Sequence, residues 1–200
     1  MHRPRAFRVD DRARLESVID AHPFALLVGP GLLATPLPLL RDGPEHLAGH
    51  LAAANPQAAA LAPGVEALAV FQGPHAYVSP RWYAAGRAVP TWNYVMVQVR
   101  GRIDAVDPPG TRDDMRTMVD RFEGAAQSRA VVADDVIDGT VAGVRAFRLR
   151  IETMEGVFKL SQNRSAEDRA GVVAAVRASG DEASRAVADL MAPPGGAEVP

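Results

Sequence analysis

The chain has no cysteine, and this absence removes several kinds of chemistry. Its 200 residues contain no thiol, so disulfides, a cysteine nucleophile, cysteine-ligated zinc and thiolate-ligated iron are all excluded. No stretch approaches the roughly 18 apolar residues that cross a bilayer. The charged N-terminus is not followed by the apolar run of a secretory signal. We therefore expect a cytoplasmic protein with no membrane partner.

Lysine is almost absent as well. The chain has 22 basic residues, and Lys159 is the only lysine among them. The net charge of −2 excludes nucleic-acid binding by bulk positive charge, and we expect no nucleic-acid partner. An ammonium group loses its proton readily when it is desolvated, whereas a guanidinium group stays charged. Lys159 is therefore a candidate general base, and the alternative is an ordinary surface lysine.

Tyrosine and tryptophan are scarce and concentrated in one place. All three tyrosines and both tryptophans lie within residues 77–94. Residues 72–92 are also rich in turn-forming residues, and a connection this long inside a compact domain is usually functional. Apolar residues make up 48% of the chain and charged residues 23%, so a core can form around this segment. The sequence predicts a functional loop over residues 72–92.

The remaining pattern predicts helices at both ends and strands between them. Hydrophobic periodicity and capping residues predict helices over 10–22, 108–124, 165–179 and 181–191, and strands over 24–28, 32–40, 46–51, 65–71, 93–106 and 144–160. Pro36 and Pro38 place the second strand at a sheet edge or at a bulge, and residues 125–143 carry no clear signal. We predict an α+β fold built on an antiparallel barrel, as one domain over 1–191 with a flexible Pro/Gly-rich tail at 192–200.

Four segments combine Gly or Pro with groups that hydrogen-bond, stack or bind metal: Gly49–Gln57, Phe71–Tyr83, Val89–Tyr94 and Lys159–Asn163. Together with the opening Arg3-Pro4-x-x-Phe7, they resemble the PaiB-type family of FMN-binding split-barrel proteins over residues 1–178. The resemblance implies a Greek-key split β-barrel with peripheral helices, and a homodimer with a planar cofactor at the subunit interface. It also implies one of three functions, namely an FMN-binding negative transcriptional regulator, a flavin reductase or oxidase, or a haem-dependent piperazate synthase.

Departures from the family pattern favour one of these functions. Family members commonly carry a cation near the flavin phosphate where this chain has Ala53, and a histidine where it has Pro36. Losing a charged phosphate partner costs about 1.5–3 kcal/mol. We therefore predict haem b as the cofactor, with FMN as the alternative. The predicted reaction forms an N–N bond by cyclising an amino-acid substrate, N5-hydroxy-L-ornithine, to L-piperazate.

The resemblance also suggests which residues form the site. His50 is the predicted axial haem ligand and His75 the second choice, although His50 could instead hydrogen-bond across the barrel and His75 could shape its loop. Lys159 is the predicted catalytic base. The other residues predicted to bind the cofactor are Tyr77, Trp82, Trp92, Asn93, Tyr94, Gln162 and Asn163. About half of the tyrosines and tryptophans are expected to contact ligand, and the others to pack in the dimer interface.

Overall fold

A computed structural model describes residues 1–84 and 88–192 of the chain. Within them the strands are β1 (Arg8–Val9), β2 (Phe24–Val28), β3 (Ala34–Pro38), β4 (Leu40–Asp42), β5 (His46–Ala52), β6 (Glu66–Val78), β7 (Thr91–Ala105) and β8 (Val144–Lys159). The helices are α1 (Arg12–Ala21), α2 (Pro56–Ala60), α3 (Pro108–Glu123), α4 (Ser128–Val131), α5 (Asp134–Thr140), α6 (Ala166–Ala178) and α7 (Glu182–Met191). None of the helices in the described ranges has the length and apolar character needed to cross a bilayer.

The strands form one sheet in the order β3-β2-β6-β7-β8-β5-β4, with β1 paired to β8. The pairs β2–β3, β2–β6, β4–β5, β5–β8 and β1–β8 are antiparallel. Strand β3 lies at an edge of this sheet, as its two prolines predict, because proline cannot donate to a neighbouring strand. The predicted helices and strands outside residues 72–92 and 125–143 are confirmed.

Local sequence explains where several helices begin. The Asp107 side chain accepts a hydrogen bond from the Gly110 N–H, and Pro108 stands at the first position of α3. In the same way, Asn55 caps α2 ahead of Pro56. Residues 125–143, which carry no clear periodicity, form the short helices α4 and α5 and a 3₁₀ turn. Their brevity is the reason that no periodic signal could be recognised.

The loop predicted over residues 72–92 is wrong in its extent. Strand β6 continues to Val78 and β7 begins at Thr91, so the connection is shorter than predicted. Gly73 and Pro74 indicate a turn in sequence, yet both lie within β6. Strand β2 pairs with β6 only at residues 68–70. The proline therefore lies beyond the part of β6 that pairs with β2, and it takes no hydrogen bond away from that pairing.

The chain forms two compact units, and β6, β7 and β8 contribute residues to both. The first, which we call unit 1, comprises Met1–Val18, Gln72–Val97 and Glu155–Pro200, and unit 2 comprises Ile19–Phe71 and Gln98–Met154. The largest fully buried side chains of unit 2 include those of Phe71, Leu39 and Ile103. The single domain over 1–191 stays a prediction, and residues 193–200 of the predicted tail lie outside the described residues.

Candidate functional site

Four of the predicted site residues surround one cleft in unit 1. His75 and Tyr77 alternate with the buried Ala76 and Val78 along β6, so both project from the exposed face of the strand. Trp82 ends the 3₁₀ turn over residues 80–82, and Trp92 is the second residue of β7. With residues from α6 and α7 and the turn between them, these side chains line a cavity of about 420 Å³.

The Tyr77 ring in this aromatic cleft stands nearly perpendicular to the rings of Trp82 and Trp92. The Tyr77 ring centroid lies 6.4 Å from that of Trp82 and 6.0 Å from that of Trp92, with an interplanar angle of 75° in each case. The His75 ring lies 6.0 Å from Trp92. Trp92 is 52% exposed and Tyr77 46% exposed. Open aromatic surface of this kind offers large contact area to a planar or cationic ligand.

A glycine lets a C-terminal helix approach the turn that carries Trp82. A Cβ atom built on Gly171 of α6 would overlap the backbone carbonyl oxygen of Trp82. Later residues of the same region, including Ser179, Asp181 and Ser184, complete the wall of the cleft. These three residues were not predicted from sequence, since they look like ordinary helix-boundary residues. Only the absence of a side chain at Gly171 gives a local signal of close packing.

Lys159 lies beside the aromatic cleft at the end of β8. Its Nζ donates a hydrogen bond to Thr91 Oγ1 and another to the Trp92 carbonyl oxygen at 3.0 Å. Burial lowers the pKa of Lys159, and the nearby positive charge of Arg164 lowers it further. A lowered pKa makes the neutral amine more accessible near neutral pH. The structure thus places the predicted base next to a residue of the cleft.

Among the remaining predicted residues of unit 1, Asn93 and Gln162 form side-chain hydrogen bonds with other residues of that unit. Asn93 is fully buried, and its Nδ2 donates to Ser161 Oγ at 3.0 Å and to Met191 Sδ at 3.3 Å. The Gln162 side chain accepts a hydrogen bond from the Leu160 N–H and donates one to the Phe158 carbonyl oxygen. Asn163 is exposed in the same turn. Half-buried Tyr94 lies on the same face of β7 as Trp92, since the two are two residues apart.

His50 belongs to unit 2, on strand β5. The imidazole is half-buried, and its Nδ1 atom is buried without a hydrogen-bond partner among the described residues. Burial lowers the pKa of His50, although the negative charge of Asp114 opposes this shift. The side chain is therefore a neutral imidazole near neutral pH, which is the form that binds a metal.

Packing explains the glycine before His50. On the opposite face of β5, a Cβ atom on Gly49 would lie 2.5 Å from Leu39 Cδ2 and 3.2 Å from Phe147 Cζ. On the His50 face, Arg148 donates to both carboxylate oxygens of Asp114 and to Asp42. Sequence analysis missed this ion-pair cluster, because only the fold brings its residues together.

Among the described residues, His50 does not belong to a cluster of metal-binding side chains. A haem iron needs one or two axial ligands from the protein, and a neutral imidazole with a free nitrogen supplies one. Groups of three or more His, Asp or Glu side chains that could hold a metal ion are absent from the described residues. The residues predicted to form one site therefore divide between the units, with His50 in unit 2 and the aromatic cleft and Lys159 in unit 1.

Comparison with known proteins identifies relatives along nearly the whole chain. Residues 1–153 match the family described as "Putative FMN-binding domain". The chain is 26% identical over 200 residues to the protease synthase and sporulation protein PAI 2 of Bacillus subtilis, covering 96% of each chain. It is 30% identical over 197 residues to an uncharacterized protein of Aspergillus fumigatus, covering 74% of this chain and 72% of that one.

Two solved structures share the fold. The FAD and heme binding protein from Mycobacterium smegmatis superposes with a TM-score of 0.64 at 19% identity, covering 87% of this chain and 80% of that chain. The flavocytochrome Anf3 from Azotobacter vinelandii superposes with a TM-score of 0.60 at 19% identity, covering 84% and 78%. These similarities confirm the predicted fold class, an α+β antiparallel split barrel with peripheral helices.

Proposed function

The chain belongs to the family described as "Putative FMN-binding domain", and on that premise we propose the cofactor and the reaction that its site serves. The resemblance to PaiB-type proteins is confirmed by this match and by the PAI 2 relative. We propose that this member holds haem b through His50 and cyclises N5-hydroxy-L-ornithine to L-piperazate in the cytoplasm.

The observation that carries the proposal is the free nitrogen of His50. A buried polar atom without a partner costs about 1–3 kcal/mol unless a ligand satisfies it. The Nδ1 atom of His50 is such an atom, and burial keeps its ring neutral. His50 would hold a haem iron through its imidazole. His75 is the weaker candidate, because its ring is exposed and its Nδ1 lies 3.4 Å from the Gly73 carbonyl oxygen.

Structures with this fold support the choice of haem. The protein from Mycobacterium smegmatis is described as binding both FAD and heme. The split barrel therefore accommodates a haem in at least one other protein. Among the residues of this chain, Ala53 lacks the cation that the family commonly carries, and it is exposed. That substitution removes a phosphate partner and favours a cofactor that needs none.

The proposed reaction loses one water. The N5–O bond of the substrate breaks, a bond forms between the α-nitrogen and N5, and the hydroxyl group leaves with a proton as water. When bound, haem iron supplies a Lewis acid that polarises the N–O bond. In this proposal Lys159 takes the proton from the α-ammonium group, and its lowered pKa increases the share of the neutral amine that can act as a base. In this proposal Tyr77, Trp82 and Trp92 offer aromatic contact surface to the planar cofactor.

We also propose that two copies of the chain form a homodimer with the cofactor at the interface. Exposed apolar side chains of unit 2, on β2 and on the turn before β3, support the homodimer. Phe24 is 65% exposed, Leu26 41% and Leu32 86%. Apolar patches of this kind mark protein interfaces more often than free surface. Light scattering should give twice the 21.2 kDa mass of the chain, and a monomer would contradict this part of the proposal.

An absorption spectrum of the purified protein tests the cofactor. Haem gives a Soret band at about 400 nm, and we expect His50→Ala to lower haem occupancy at least about tenfold. The matched control is His46→Ala, because His46 lies on the same face of β5 and is also half-buried. It differs from His50 in that its Nε2 atom lies 3.6 Å from Asp104 Oδ2. An unchanged Soret band in His50→Ala would overturn the assignment of the ligand.

The second candidate is an FMN-binding negative transcriptional regulator, which the PaiB-type resemblance also implies. The open faces of Tyr77 and Trp92 favour it, since an isoalloxazine ring could stack there. Flavin bands at about 370 and 450 nm in a protein without bound iron would show that the cofactor is FMN and not haem. Conversion of N5-hydroxy-L-ornithine, followed by mass spectrometry, then separates an enzyme from a binding protein.

A further inference from the structure

A second cavity of unit 1 carries three arginines and belongs to neither the aromatic cleft nor the His50 region. It is an open cleft of about 790 Å³ between the first turn of α1, the turn after β8 and helices α6 and α7. Its apolar wall includes Leu160, Leu190 and Met191, and its cationic residues are Arg14, Arg169 and Arg177. We call it the arginine cleft. Its volume is within the range of small-molecule sites.

The charges of the arginine cleft have one sign. Acidic residues are absent from the described residues that line it, although the whole chain carries a net charge of −2. Arg177 donates to Asp189 at 3.0 Å, which offsets one of the three positive charges. The Arg14 guanidinium lies 5.0 Å from the centroid of the Phe158 ring, a contact that holds the group without neutralising it.

Arg169 provides the observation that points to a ligand. Its Nη2 donates to the Met191 carbonyl oxygen at 2.9 Å and so fixes the side chain at the end of α7. Its Nε is buried without a hydrogen-bond partner among the residues that the structure describes. A buried guanidinium donor is costly to leave unpaired, and an anion would satisfy it with a charge-assisted hydrogen bond.

We propose that the arginine cleft binds a small amphipathic anion, a carboxylate or phosphate monoester that carries an apolar chain. The anionic head lies against Arg169 and Arg14, and the apolar chain packs on Leu160, Leu190 and Met191. A head group alone would leave the apolar wall exposed to water, and a neutral chain would leave the guanidinium unpaired. The combination of cations and apolar wall therefore selects a ligand with both parts.

Calorimetric titration of the whole protein with four ten-carbon probes tests the proposal. We expect decanoate or decyl phosphate to bind at least about tenfold more tightly than decanol or decyltrimethylammonium, because two guanidinium groups favour the anionic head. Tighter binding of one anion than the other identifies the head group and supports the proposed class. Equal affinity for decanol would overturn it, and so would preferred binding of the cationic probe.

Variants then locate the site. Arg169→Lys keeps the charge but removes Nε, and Leu190→Glu places a negative charge on the wall at a residue that is 47% exposed. We expect each to weaken binding of the preferred anion about tenfold. The matched control is Arg185→Gln on α7, which removes a positive charge outside the lining residues. Melting curves confirm folding, and unchanged affinity in Leu190→Glu would overturn the location.

Discussion

The two regions that carry the candidate chemistry are built differently. In unit 2, His50 lies within a paired strand, and a Cβ atom on the neighbouring Gly49 would press against the side chains of Leu39 and Phe147. In unit 1, Tyr77 and Trp92 extend from strands into an open cleft, with about half of each side chain exposed. Substitutions around His50 should therefore cost stability, whereas substitutions in the aromatic cleft should cost ligand binding.

The strongest way to test this contrast is to add a methyl group inside unit 2. A Cβ atom on Gly101 of β7 would overlap the Arg150 carbonyl oxygen of β8. Backbone cannot rotate away as a side chain can, so we expect Gly101→Ala to lower the free energy of unfolding by about 3 kcal/mol. Urea denaturation measures the effect.

The matched control for that variant is Gly139→Ala in α5. No atom lies within 4 Å of a Cβ atom at this position. Alanine is a better helix former than glycine, so we expect stability to stay level or to rise by up to about 1 kcal/mol. If Gly101→Ala were as stable as Gly139→Ala, the tight packing attributed to unit 2 would be wrong.

Sequence could predict the features that depend on residues close together in the chain, but not those that depend on contacts between distant residues. Local signals were sufficient for the helix that begins after Asp107 and for the edge strand with Pro36 and Pro38. They failed at Gly73 and Pro74, which indicate a turn in the sequence but lie within β6. The aromatic residues of the cleft could be predicted from their clustering in the sequence. The packing of α6 on the Trp82 turn could not, because it joins residues that are far apart in the chain.

The second prediction concerns proton transfer beside the aromatic cleft. Arginine at position 159 can still donate to Thr91 and to the Trp92 carbonyl oxygen, but it cannot become neutral. We expect Lys159→Arg to reduce turnover of N5-hydroxy-L-ornithine about a hundredfold and to leave the melting temperature nearly unchanged.

The pH profile separates this role from a structural one. Since burial lowers the Lys159 pKa, the wild-type rate should rise with pH as the amine loses its proton, and the variant should lack that limb. Full turnover in Lys159→Arg would show that the lysine is only a hydrogen-bond donor to Thr91 and Trp92.

A smaller effect is expected from the titration of His50. Burial lowers its pKa from the ordinary value of 6.5, so the unfolded chain binds a proton more readily than the native protein does. In the protein without haem, stability should therefore fall as the pH decreases below 6.5 towards the lowered native pKa. His50→Gln should reduce this loss, as measured by melting temperatures at pH 7.5 and 5.5.

His22 provides the comparison for that measurement, because burial lowers its pKa as well and it belongs to the same unit. Burial alone lowers the pKa of His22, whereas the negative charge of Asp114 partly offsets the effect of burial on the pKa of His50. His22→Gln and His50→Gln should each remove part of the acid sensitivity of stability, and the double variant should remove more than either single variant. An acid sensitivity that neither substitution alters would place the responsible group elsewhere.

The smallest effect on stability should come from the aromatic cleft itself. Trp92 is 52% exposed, and its backbone carbonyl, which receives the Lys159 hydrogen bond, is retained in any variant. We expect Trp92→Ala to change the free energy of unfolding by no more than about 0.5 kcal/mol, while it weakens binding of substrate or flavin. Buried Phe71 of unit 2 gives the contrast, because Phe71→Ala should cost about 3–5 kcal/mol. If Trp92→Ala were as destabilising as Phe71→Ala, the cleft would be part of the core, and its open rings could not be attributed to ligand binding.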